Sequence, residues 1–89
     1  MTKILVIEDE KILREEIMKW LKLEDYEVVG AEDGIIGVES AFQNLPDLII
    51  SDITMPQLDG HGVLLQLRAN QTTADIPFCF YFSYRLCSK

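Results

Sequence analysis

The stretch Lys3-Ile4-Leu5-Val6-Ile7-Glu8-Asp9-Glu10 decides the fold. Its aliphatic residues run on without polar alternation, which predicts a short strand buried on both faces, as in a parallel sheet. Acids follow where that strand leaves the sheet. From Lys11 to Leu23 the period changes. Ile12, Leu13, Ile17, Trp20, Leu21 and Leu23 recur at helical spacing, with Arg14, Glu15, Glu16 and Lys19 between them. That pattern predicts an amphipathic helix with Trp20 in its core stripe. The strand motif returns at Asp47-Leu48-Ile49-Ile50-Ser51-Asp52, again closed by a carboxylate.

The intervening segments complete an alternating pattern. Residues 26–30 predict a second strand after the acidic turn Glu24-Asp25. Residues 34–44 predict a helix N-capped by Asp33, with Ile35, Ile36, Val38, Ala41 and Phe42 available for burial, and Leu45-Pro46 stops it. Residues 53–60 form a loop punctuated by Pro56 and Asp59-Gly60. A third helix is expected over 62–69, with Val63, Leu64, Leu65 and Leu67 apolar, then a polar connector over 70–75 and a fourth strand over 76–82. Strands alternating with helices imply right-handed βαβ units and a mostly parallel sheet.

With 89 residues the chain forms one small domain, and its 48% hydrophobic content is that of a globular protein. A net charge of −7 argues against a nucleic-acid surface, because phosphate backbones demand Lys and Arg. It suits cations, or a partner with a basic or neutral face. No apolar run approaches the roughly 20 residues of a membrane span, and the one after Lys3 is too short for a signal peptide. A cytoplasmic location is therefore expected, with Cys79 and Cys87 as reduced thiols whose spacing fits no metal motif.

The chemistry lies with the strand-end acids. Open parallel sheets bind ligands outside the carboxyl ends of their strands, near the point where strand order reverses. If the strands ending at Glu8-Asp9 and Asp52 are neighbours, three carboxylates converge. Like charges at that range disfavour one another's ionised form, and a hard divalent cation relieves the conflict. Mg²⁺ suits few carboxylates with retained waters, and a carboxylate beside it can attack a phosphoryl group. Singly, the signals have plainer explanations. Glu8-Asp9 could serve equally as helix N-caps, Asp52 as a solvated loop acid, and Gly60 as a turn residue.

Jointly, the blocks Ile4-Leu5-Val6-Ile7-Glu8-Asp9-Glu10, Asp47-Leu48-Ile49-Ile50-Ser51-Asp52-Ile53-Thr54-Met55-Pro56 and Leu58-Asp59-Gly60 resemble the receiver domain of bacterial response regulators. The intervals between them match too, as do Glu32-Asp33-Gly34 and Ile76-Pro77, so the resemblance covers residues 2–80. It implies a flavodoxin-like, doubly wound α/β sheet of order 2-1-3-4-5. By the same resemblance Asp52 is the phosphoryl acceptor, and Glu8 and Asp9 are the acidic pair holding Mg²⁺. Asp9 and Asp52 are direct ligands, joined by the backbone carbonyl of Thr54. Met55, Pro56 and Gly60 shape the pocket loop. The donor is a phosphohistidine on a sensor histidine kinase or histidine phosphotransfer protein, or a small acyl phosphate.

The chain departs from that pattern at its end. Where the family closes its fourth strand with a Thr or Ser, Phe82 stands, with Ser83 one step late and on the opposite face. The family's fifth strand with its Lys, and its last two helices, are not matched. Residues 1–83 thus read as an incomplete receiver domain and 84–89 as a non-matching tail, the mark of a truncation or frameshift. Arg85 and Lys89 are its only cations. An uncovered sheet face and an edge strand bearing Phe78, Phe80, Tyr81 and Phe82 predict self-association. Phosphoryl transfer would lose its Lys and hydroxyl, each worth roughly 10²–10³ in rate.

Two other functions compete with the signalling receiver. One is a non-switching fragment or protein-interaction remnant without phosphotransfer competence. The other is an Mg²⁺-dependent phosphatase with a strand-end Asp nucleophile, which ranks lower because that class needs a second Asp where Thr54 stands. His61 is expected on a helix surface, and the aromatic residues near 80 in sheet packing.

Overall fold

The computed structural model describes residues 1–55 and 57–81. Four strands and three helices alternate: β1 (Lys3–Ile7), α1 (Lys11–Leu23), β2 (Glu27–Ala31), α2 (Gly34–Asn44), β3 (Leu48–Asp52), α3 (Gly60–Arg68) and β4 (Phe78–Tyr81). The strands form one parallel sheet in the order β2-β1-β3-β4. This is the doubly wound arrangement expected from the sequence. The expectations for Pro56, Phe82, Ser83 and the tail with Arg85, Cys87 and Lys89 lie outside the described residues.

The chain leaves β1 through α1 toward β2 and returns through α2 to β3 on the other side of β1. The two helices therefore pack on opposite faces of the sheet. Side chains alternate along a strand, so Leu5 and Ile7 enter one core with Ile49, Val38 and Ala41 of α2, and Val63 and Leu67 of α3. Ile4 and Val6 face α1 and are also buried, which explains the unbroken aliphatic run of β1. Gly37 lets α2 approach closely, since a Cβ there would meet the Ile7 side chain at 2.6 Å.

Local chemistry sets the helix ends. The carboxylates of Glu10, Asp33 and Asp59 accept hydrogen bonds from the N–H groups of Leu13, Ile36 and Gly62, capping α1, α2 and α3. The third cap starts α3 at Gly60, two residues before the position expected from its apolar pattern. After α1, the N–H groups of Asp25 and Tyr26 donate to the carbonyls of Lys22 and Leu21, with Asp25 left-handed at φ 69°. That pairing is a Schellman motif. α2 ends at Leu45, also left-handed, ahead of Pro46.

The core placement of Trp20 is incorrect: its side chain is 68% exposed, and Ile12 and Leu23 are exposed with it. α1 packs on β2 and then β1, and has no fully buried residue. Its apolar stripe is wider than that contact. Met18 and Arg14 lie over Gly30 of β2, while Ile12 and Trp20 stay exposed. In the sheet, Ile50 is only half-buried and Cys79 is exposed. Ile35, Ile36 and Phe42 of α2 remain partly exposed and Leu65 of α3 largely so. Among the described residues, no helix is long and apolar enough to cross a membrane.

Candidate functional site

β1 and β3 are hydrogen-bonded neighbours, with Ile7 opposite Ser51. Both run in the same direction, so their carboxyl ends deliver Glu8, Asp9 and Asp52 to one place. This is also where strand order reverses, since α1 and α2 leave for opposite faces. One carboxylate oxygen from each residue lies within 4.8 Å of the others. Glu8 and Asp52 are fully buried and Asp9 is half-buried.

Burial on this scale separates the cluster from ordinary capping acids. The cap of α1 is Glu10, not Glu8 or Asp9. Asp52 is no solvated loop acid either, with no exposed surface at all. Glu8 is held at several points. Its N–H donates to the Ala31 carbonyl at 3.0 Å, and its carbonyl accepts from Arg14 Nη1 at 2.8 Å. Its Oε2 accepts the Glu10 N–H at 2.9 Å, and its Oε1 accepts the Tyr81 hydroxyl. Asp52 Oδ1 lies 3.4 Å from the Thr54 N–H, a long contact, while the Ser51 hydroxyl donates to the Asp52 carbonyl at 2.9 Å.

The loop after β3 is fastened beside the cluster. Thr54 is exposed, whereas Met55 is buried and its side chain joins the apolar core, anchoring the loop from below. Gly60 donates its N–H to the Ile53 carbonyl at 3.0 Å. A Cβ at Gly60 would stand 2.6 Å from the Asp52 carbonyl oxygen and 2.9 Å from the Phe80 ring, so only glycine fits. Gly34 is tighter still, since a Cβ there would stand 2.1 Å from the Leu58 carbonyl oxygen. His61 is exposed at the start of α3, its ring edge-on to Phe80 at 4.9 Å.

Three oxygens from hard, ionisable ligands suit a small oxygen-seeking cation. Opposite ligands of an octahedral Mg²⁺ stand about 4.2 Å apart, given bonds of about 2.1 Å. The spread of 4.8 Å is within a small side-chain adjustment of that figure. Glu8, Asp9 and Asp52 therefore fit such an ion, with waters completing its shell.

Tyr81 is the residue that sequence reasoning did not single out for this site. It pairs with Asp52 across the sheet, and it lies 73 positions from the carboxylate it binds. Only the β3–β4 register brings them together.

Comparison with known proteins agrees with this geometry. The family model for the response regulator receiver domain matches residues 4–82. The response regulator ArlR of Staphylococcus saprophyticus is 44% identical over 73 residues, covering 82% of this chain and 33% of that protein. The DNA-binding dual master transcriptional regulator RpaA of Synechocystis is 40% identical over 77 residues, 86% of this chain and 32% of that protein. Among solved structures, the receiver domain of the sensor histidine kinase PA1611 of Pseudomonas aeruginosa superposes with a TM-score of 0.84 at 30% identity. That match covers 89% of this chain and 65% of that one, whose active-site cleft coordinates a magnesium ion. The chain thus spans about a third of the curated relatives' length. It belongs to the response regulator receiver domain family.

Proposed function

We propose that this chain is the phosphoacceptor receiver of a cytoplasmic two-component phosphorelay, taking a phosphoryl group on Asp52. The observation that carries this reading is the convergence of Glu8, Asp9 and Asp52, two of them fully buried, at the carboxyl ends of adjacent central strands. Glu8, Asp9, Asp52 and the backbone carbonyl of Thr54 would hold Mg²⁺. When bound, the ion supplies positive charge that offsets the carboxylates and the phosphoryl oxygens. An Asp52 carboxylate oxygen then forms a bond to phosphorus as the P–N bond of a phosphohistidine breaks. The departing imidazole keeps the bonding electrons and takes up a proton. With acetyl phosphate a P–O bond breaks instead and acetate leaves. Met55 and Gly60 hold the loop that borders the acceptor.

The domain signals and does not turn over a substrate. Its partner in this reading is a sensor histidine kinase or a histidine phosphotransfer protein. One observation favours the rival reading of an interaction remnant: the exposed apolar side chains Ile12, Trp20 and Leu23 on α1. Intact mass after incubation with acetyl phosphate and Mg²⁺ separates the two. A single phosphoryl adduct in the parent, absent from Asp52→Asn, supports phosphotransfer. A folded parent without any adduct supports the remnant.

A further inference from the structure

We infer that Tyr81 is a positioning residue for the cation site, its hydroxyl holding the Glu8 carboxylate in place beside Asp52. This inference rests on the reading of the cluster as a divalent-cation site. The sheet geometry fixes which way Tyr81 points. Phe78 packs against the apolar core on the α3 side, and Phe80 lies against Gly60 and His61. Strand alternation then places Tyr81 on the opposite face. Asp52, its partner in the register, shares that face, as does Glu8 at the end of β1. From there the Tyr81 hydroxyl crosses β3 and donates to Glu8 Oε1.

Glu8 is fully buried, so bulk water cannot orient its carboxylate. Among the donors to its two oxygens are one local backbone N–H and one side chain 73 residues away. The Glu10 N–H takes Oε2 at 2.9 Å, and the phenol takes Oε1. Repulsion from Asp9 and Asp52 would otherwise turn this carboxylate away from the cluster. Outer-shell donors of this kind fix the direction of a metal ligand and raise affinity. A phenol is also neutral. It steers Glu8 without cancelling the negative charge that attracts the cation, as a Lys or Arg in the same place would.

Tyr81→Phe removes one oxygen and keeps the ring. Mg²⁺ affinity of the 89-residue chain is measured by isothermal titration for the parent, Tyr81→Phe, Glu8→Gln and the double variant. The expected result is a Kd about tenfold weaker for Tyr81→Phe than for the parent. In the Glu8→Gln background the same change should alter Kd by less than about twofold, because the hydroxyl acts through the Glu8 carboxylate. A purely structural tyrosine would lower the metal-free melting temperature and leave Kd where it was. Parent binding with an unchanged Kd in Tyr81→Phe overturns the inference alone, as does an equal loss in both backgrounds. A parent that binds no Mg²⁺ overturns the cation-site reading and the inference with it.

Discussion

Replacing Asp52 by Asn should stabilise the metal-free protein while removing most of its response to Mg²⁺. The magnitude follows from the cluster geometry. At an effective dielectric near 20, two unit charges at 4.8 Å, the outer limit of separation in this cluster, repel by about 3.5 kcal/mol. That figure applies to Asp52 against Glu8, both fully buried. Asp9 is half-buried, and its repulsion of Asp52 is nearer the bulk-water value of about 1 kcal/mol. The variant relieves both terms. Against this, a hydrogen bond to a charged group is worth about 1.5–3 kcal/mol, and the long Thr54 N–H contact to Asp52 weakens when the acceptor is neutral. The net gain is about 2 kcal/mol. For a chain of this size that raises the melting temperature by about 8–16 °C.

The assay is thermal denaturation by circular dichroism, with EDTA and with Mg²⁺, for parent and variant. In the parent, Mg²⁺ at a hundredfold excess over Kd should add about 2.7 kcal/mol. In Asp52→Asn, which lacks one ligand, most of that increment should vanish. A variant that melts at or below the parent in EDTA would refute the account of the cluster as a net repulsion. An Mg²⁺ increment of equal size in both proteins would place the ion elsewhere.

Three further outcomes test the local structure. Asp25→Gly should raise stability by about 1 kcal/mol in urea melts, because glycine carries no penalty at φ 69° and the change removes an acid from the negative end of α1. Gly60→Ala should lower stability by about 2–3 kcal/mol although alanine is the better helix former, since its methyl would stand 2.6 Å from the Asp52 carbonyl oxygen; an unchanged midpoint would show that the loop moves freely. Trp20→Gln should leave the unfolding midpoint within about 0.5 kcal/mol while weakening self-association in sedimentation velocity, because the indole is already 68% exposed. A parent that is monomeric at every concentration would remove the reason for the last of these.

The elements are legible in the sequence where one period dominates. The unbroken run Ile4-Leu5-Val6-Ile7 suits only a strand covered on both sides, and Asp33 ahead of Gly34 marks the start of α2 through its capping chemistry. Pattern alone misplaces the start of α3, because Gly60 and Gly62 lower helix propensity where Asp59 supplies the cap. It misplaces Trp20 for a different reason. Periodicity tells which residues share a helix face, but coverage of that face depends on what packs against it, and α1 meets mainly β2 and β1. The convergence of Glu8, Asp9 and Asp52 needs only the adjacency of β1 and β3. The role of Tyr81 needs the register of β4, which local pattern does not determine.

These two kinds of information correspond to two mechanical parts of the site. Glu8 and Asp52 stand at the ends of β1 and β3, and each of those strands is paired on both sides. Their backbone positions are therefore set by the most strongly tied part of the sheet. Tyr81 closes β4, which among the described residues pairs with β3 alone. Edge strands open at lower free-energy cost than central ones. Fraying at Tyr81 would release one oxygen of the Glu8 carboxylate and leave the Asp52 backbone where it is. The position of Asp52 is thus insulated from events at the edge, while the orientation of its acidic neighbour is exposed to them. A partner that orders β4 would, under the proposed role of Tyr81, tighten the proposed cation site without touching Asp52.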